Sequence, residues 1–70
     1  PEDITEFNEI KAKVSQVVDG MPAVMGRIYK LKYIEGWDNE RIATSLSITQ
    51  STVRVQLLNA EKRIREALSR

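Results

Sequence analysis

The segment from Gly36 to Arg54, GWDNERIATSLSITQSTVR, constrains the fold more than any other part of the chain. Its apolar residues recur at threes and fours, which is helical spacing. A short helix, a three-residue turn and a second helix with a polar first turn account for the whole segment. That arrangement is a helix-turn-helix, a motif that lays its second helix in the DNA major groove. The residues therefore point to a DNA reader rather than a catalyst.

The remaining sequence extends this to an all-α, compact four-helix domain over residues 1–70, with the helix-turn-helix at its C-terminal end (38–68). Residues 1–20 form either a first helix of the domain or a segment close to a linker. The first helix places Ile4, Phe7, Ile10, Val14, Val17 and Val18 on one face, with Asp3 and Glu6 at capping-box spacing and Gly20 as its stop. The second opens at Pro22, suited to a first helical position, and ends at Gly36. Met25, Ile28, Tyr29, Leu31 and Ile34 are its inward candidates. Gly26 within it costs about 1 kcal/mol relative to Ala, a cost that close approach of another helix would explain.

Asp38 caps the third helix, whose inward residues are Ile42, Ala43 and Leu46, while Ile48 plugs the turn. Thr49 caps the fourth, with Val53, Leu57, Ala60, Ile64, Ala67 and Leu68 turned inward. Trp37 is expected to pack under the third helix, with ligand stacking as the alternative. Repeats, low-complexity tracts and internal linkers are absent.

Composition narrows the function. Seventy residues bury only about 60% of their unfolded surface, which leaves room for one core and no deep substrate cavity. Cysteine and histidine are both absent. That removes disulfides, thiolate metal sites and the commonest general base, so neither catalytic residues nor metal ligands nor cofactors are expected. Apolar runs are too short for a membrane span or a signal peptide. A cytoplasmic module cut from a longer protein is the expectation, the chain opening at Pro1 rather than at Met. Charge is segregated: residues 1–40 carry five Lys/Arg against eight acids, and residues 41–70 six against two. A basic half suits nucleic acid and an acidic half suits protein.

With the apolar stripe of the fourth helix turned inward, the opposite face offers Gln50, Ser51, Thr52, Arg54, Val55, Leu58 and Asn59 to DNA. Arg54 can fork onto guanine O6 and N7, Gln50 or Asn59 can pair with adenine, and Val55 or Leu58 can touch a thymine methyl. Arg41, Lys62 and Arg63 are the phosphate candidates. Arg63 and Arg65 can instead pair with Glu61 or Glu66 along the helix.

These residues resemble region 4 of a bacterial sigma-70-family factor, specifically of the extracytoplasmic-function group, from Met21 to about Leu68. Met21-Pro22 resembles the family's Leu-Pro opening, and Tyr33-Ile34-Glu35-Gly36 its apolar, Glu-Gly close. Glu40 through Ala43 stands where the family has Glu-Glu-Ile-Ala. Thr49 through Arg54 resembles its Ser-x-x-Thr-Val-Lys/Arg, and Asn59 through Arg65 its Arg-Ala-basic-basic-basic-Leu-Arg. The resemblance implies a monomer that binds double-stranded promoter DNA at the minus-35 element and docks on the β flap of RNA polymerase core. It also implies an anti-sigma factor as a partner that covers the domain.

Carried over by position, Arg54, Val55, Leu58 and Asn59 face DNA. Gly26, Ser47, Gln56 and Asn59 depart from the family pattern, Ser47 standing at a common turn glycine and Gln56 and Asn59 at frequent arginines. Fewer cations imply weak unaided affinity. Nothing in the chain resembles the sigma region that melts DNA. A docking face on polymerase or an anti-sigma partner is expected around Val17, Val18, Met21 and Met25. Two alternatives remain open. The output domain of LuxR-type response regulators shares the four-helix plan but opens with Leu-Thr-x-Arg-Glu, unlike Met21 to Met25, and it dimerises on paired half-sites. A helical interaction module without DNA binding is the other.

Overall fold

A computed structural model describes residues 2–69, with side chains from Asn8 to Ser69. It contains α1 (Glu2–Asp19), α2 (Ala23–Tyr33), α3 (Asn39–Leu46) and α4 (Gln50–Leu68), as the spacing of apolar residues predicts. The sequence expectations for Ile4, Phe7 and the Asp3–Glu6 capping box concern side chains outside the described set. By its backbone, α1 already includes Glu2, so Asp3 lies inside the helix rather than at its cap.

Helix α4 is the spine, packed against each of the other three. Its inward residues divide between two apolar clusters. Val53 and Leu57 join Ile28, Ile42 and Ala43, with Leu31, Trp37, Leu46 and Ile48 packed alongside. Ala60 and Ile64 join Val18, Met21 and Met25, with Val14, Val17 and Tyr29 alongside. The first cluster fixes the helix-turn-helix, and the second ties α1 to it. The molecule is long for its size, 43 × 21 × 15 Å, because α1 and α4 are its two longest helices.

The second cluster overturns one expectation. Val18, Met21 and Met25 are buried under Ala60 and Ile64 and Val17 is half-buried, so they are core and not a docking face. Gly26 lies at the same junction. A Cβ there would approach the Val18 carbonyl oxygen at 3.1 Å, which accounts for a glycine in mid-helix.

Helix ends explain the other departures. Pro22 sits at the N-cap (φ −51°, ψ 145°), one residue before the position expected, and its carbonyl accepts the Gly26 N–H at 3.0 Å. Helix α2 ends at Tyr33, three residues short of Gly36. The chain then turns widely: the Glu35 N–H donates to the Lys30 carbonyl and the Trp37 N–H to the Leu31 carbonyl, with Gly36 at φ +77°. Ile34 therefore falls past the helix and is 70% exposed rather than inward. Ile10 is 52% exposed because it reaches only the last turn of α4, beside Leu68, which is itself exposed. The ion pair found among the described residues, Lys30 to Asp19 at 3.6 Å, bridges the α1–α2 corner. Arg63 and Arg65 form no such pair with Glu61 or Glu66 among those residues.

Both caps of the helix-turn-helix form as expected. The Arg41 N–H donates to Asp38 Oδ1 at 2.8 Å, and the Thr52 N–H donates to Thr49 Oγ1 at 3.1 Å. Between them Ser47 adopts a left-handed conformation (φ 57°, ψ 43°) that lets the Ile48 N–H reach the Ala43 carbonyl at 3.0 Å. An L-residue there costs about 1–2 kcal/mol, whereas glycine loses about 0.4–1 kcal/mol through unfolded-state entropy. Ser47→Gly should therefore raise stability by about 0.5–1 kcal/mol, or roughly 2–8 °C in Tm for a domain this small. Thermal unfolding followed by circular dichroism checks this; a lowered Tm would mean that the serine side chain supports the turn.

Candidate nucleic-acid interface

The inward residues of α4 force its other residues outward. Gln50, Ser51, Thr52, Arg54, Val55, Leu58 and Asn59 are all exposed, as are Lys62 and Arg63. At 3.6 residues per turn these side chains do not share one line. Ser51, Val55 and Leu58 form a central strip continued by Lys62. Arg54 and Asn59 stand about 140° apart around the axis, one on each flank. The strip is the part of the helix that points directly away from the core. Val55 is 55% exposed and Leu58 61%, two apolar side chains on an otherwise polar face.

The ten residues from Gln50 to Asn59 suit a major groove about 12 Å wide, in which an α-helix fits. Lys62 lies about 18 Å along the axis from Gln50, near where a groove-bound helix would meet the backbone. Arg63 lies on the α2 side of the helix, and a shallow concavity is lined jointly by Met25, Asn59, Lys62, Arg63 and Glu66. Thr52 is exposed, but its hydroxyl lies 2.9 Å from Thr49 Oγ1, so part of its hydrogen-bonding capacity is spent on the cap.

Arg41 occupies a position that sequence reasoning missed. Its guanidinium carbon lies 4.0 Å from the centroid of the Trp37 ring, directly over its face. Trp37 does pack into the core beneath α3, as expected, but it also carries this cation on its outer side. The i, i+4 spacing of Trp37 and Arg41 was the available signal. Because Trp37 precedes the helix, that spacing alone did not imply contact.

At the other end, the Tyr29 and Tyr33 rings contact each other with centroids 4.8 Å apart and planes tilted by 45°. Partial burial, and secondly the Glu61 carboxylate, push both phenols above their usual range, so both are neutral near pH 7. They flank an apolar groove of about 310 Å³ between α1 and α2. Among the described residues, no three His, Cys, Asp or Glu gather where they could hold a metal ion, and no helix is long and apolar enough to cross a membrane.

A comparison with curated proteins found no match. A family model described as sigma-70, region 4 matches residues 11–64, covering the second half of α1, all of α2 and α3, and most of α4. That family is one of DNA-binding domains rather than enzymes. The match spans both clusters, both caps and the outward strip of α4, and with it the chain belongs to the sigma-70 region 4 family.

Proposed function

We propose that this chain recognises the minus-35 element of a bacterial promoter as region 4 of a sigma factor, with α4 in the major groove. The outward strip of Ser51, Val55 and Leu58, flanked by Arg54 and Asn59, carries the reading. It places apolar contacts for thymine methyls between two polar side chains that can address base edges. Gln50 and Thr52 lie at the helix start, where they approach the same base pairs. Arg41, Lys62 and Arg63 hold phosphates on either side. The motif pieces around Glu35-Gly36 and Glu40 to Ala43 favour the extracytoplasmic-function group.

In this reading the domain is monomeric, acts in the bacterial cytoplasm and works while bound to RNA polymerase core through the β flap, with an anti-sigma factor as its antagonist. The buried state of Val18, Met21 and Met25 moves protein docking to other surfaces. Tyr33 and Ile34, exposed beside the α1–α2 groove, are apolar side chains available there.

With roughly four cations each neutralising one phosphate, Arg41, Lys62 and Arg63 among them, log K against log salt should fall with a slope of about −3.6. Titrating fluorescently labelled duplexes, selected from a random pool for binding, against salt concentration measures it. A flat response from the folded domain would remove DNA binding and leave the protein-interaction alternative. Selected sites containing two spaced half-sites, bound by a dimer, would instead overturn the monomeric reading.

A further inference from the structure

We propose that Trp37 is a positioning residue for phosphate recognition, holding Arg41 with its hydrogen-bonding edge turned to the DNA backbone. This rests on the DNA-binding reading above and assigns to the Trp37–Arg41 pair a role within it. Asp38 and Arg41 stand three apart, a spacing at which an aspartate and an arginine ordinarily pair on a helix surface. Here they do not pair through their side chains. Asp38 accepts the backbone N–H of Arg41 at 2.8 Å, and the guanidinium lies on the Trp37 ring instead, 4.0 Å from its centroid.

Stacking uses the flat face of a guanidinium and leaves the N–H groups in its plane available, which suits bidentate binding of a phosphate. The platform is itself fixed. The Trp37 ring packs against the cluster of Ile28, Ile42, Val53 and Leu57, and the backbone N–H of Trp37 donates to the Leu31 carbonyl at 2.9 Å, which fixes the chain that carries the ring. Arg41 is on the first helix of the helix-turn-helix, the element that crosses the DNA backbone in this motif. Exposed Thr44 and Ser45 follow it at i+3 and i+4, adding two hydroxyls to the same side. Asp38 and Glu40 border this surface too. A mobile Arg41 could fold onto either carboxylate and lose its charge to it. Trp37 prevents that by giving the cation another place to rest.

The contact is to backbone, so sonicated double-stranded DNA of mixed sequence is a sufficient probe. Arg41→Ala should make the salt slope shallower by about 0.9, the loss of one phosphate contact. Trp37→Leu should reproduce that change, the two together should be no worse than either, and Trp37→Phe, which keeps an aromatic face, should recover most of the slope. Circular dichroism shows which variants are folded. If Trp37→Leu does not fold, the comparison passes to Trp37→Phe and to the fluorescence of Trp37, the chain's single tryptophan. DNA should alter that emission in the parent protein and not in Arg41→Ala.

A folded Trp37→Leu variant with the parental slope would overturn the positioning role while leaving DNA binding intact. So would an emission response that survives Arg41→Ala. Absence of any salt-dependent binding by the parent protein would overturn the DNA reading and this role together.

Discussion

Replacing Ile28 with alanine is expected to lower the unfolding free energy by about 2–5 kcal/mol. Ile28 is fully buried where α2, α3 and α4 meet, against Ile42 and Val53, which are also fully buried. The surrounding helix ends are capped and cannot easily collapse into the vacated space. A chain of 70 residues has only roughly 4–10 kcal/mol of total stability by the usual per-residue range. One substitution would then remove about a fifth of it or more. Urea denaturation measures the change as a lower midpoint at unchanged m-value. The control is Ile34→Ala, at a residue 70% exposed, which should stay within about 0.5 kcal/mol of the parent. Equal effects from the two would mean that α2 does not pack on the helix-turn-helix through Ile28.

Arg54→Ala should leave the thermal unfolding curve unchanged and weaken binding to a selected duplex by about 1–3 kcal/mol. Its side chain is exposed on the flank of α4, next to but outside the buried stripe. The loss should also be uneven. Base replacements at one position, costly for the parent, should become nearly neutral for the variant if, as proposed, a bidentate arginine–guanine pair carries the discrimination there. Competition between duplexes differing at single positions reads this directly. A uniform loss on every sequence would make Arg54 a phosphate contact and leave base reading to Val55, Leu58 and Asn59.

The elements that the sequence reveals most clearly are those whose signals are local. Asp38 and Thr49 cap because their side chains reach a backbone N–H three residues on, a geometry written in adjacent residues. The stripe Val53, Leu57, Ala60, Ile64 is legible for the same reason, since helical periodicity alone turns it inward. Gly26 was half legible. Its cost pointed to close packing, but only the fold shows the Val18 carbonyl as the neighbour. What escaped depends on where helices stop. Ile34 has the right spacing for burial, yet α2 ends one residue before it. Met25 reads both as an inward residue of α2 and as part of a docking face, and nothing in its own helix reveals that the far end of α4 covers it and decides for the core. Of the interface, the outward strip followed from its complement, whereas the Arg41 stack required the path of the chain from Gly36 into α3.

Helix α4 divides its residues by direction: those facing one way serve both apolar clusters, and those of the outward strip are exposed and belong to neither. Binding preference and folding are thereby separable properties of the same helix. Ser51, Arg54, Val55 and Leu58 can be exchanged as a set for the outward residues of another recognition helix while Val53, Leu57, Ala60 and Ile64 keep the scaffold. If the outward strip reads DNA as proposed, a lineage carrying this domain can acquire new target sites by drifting along one side of a single helix, with stability left almost as it was.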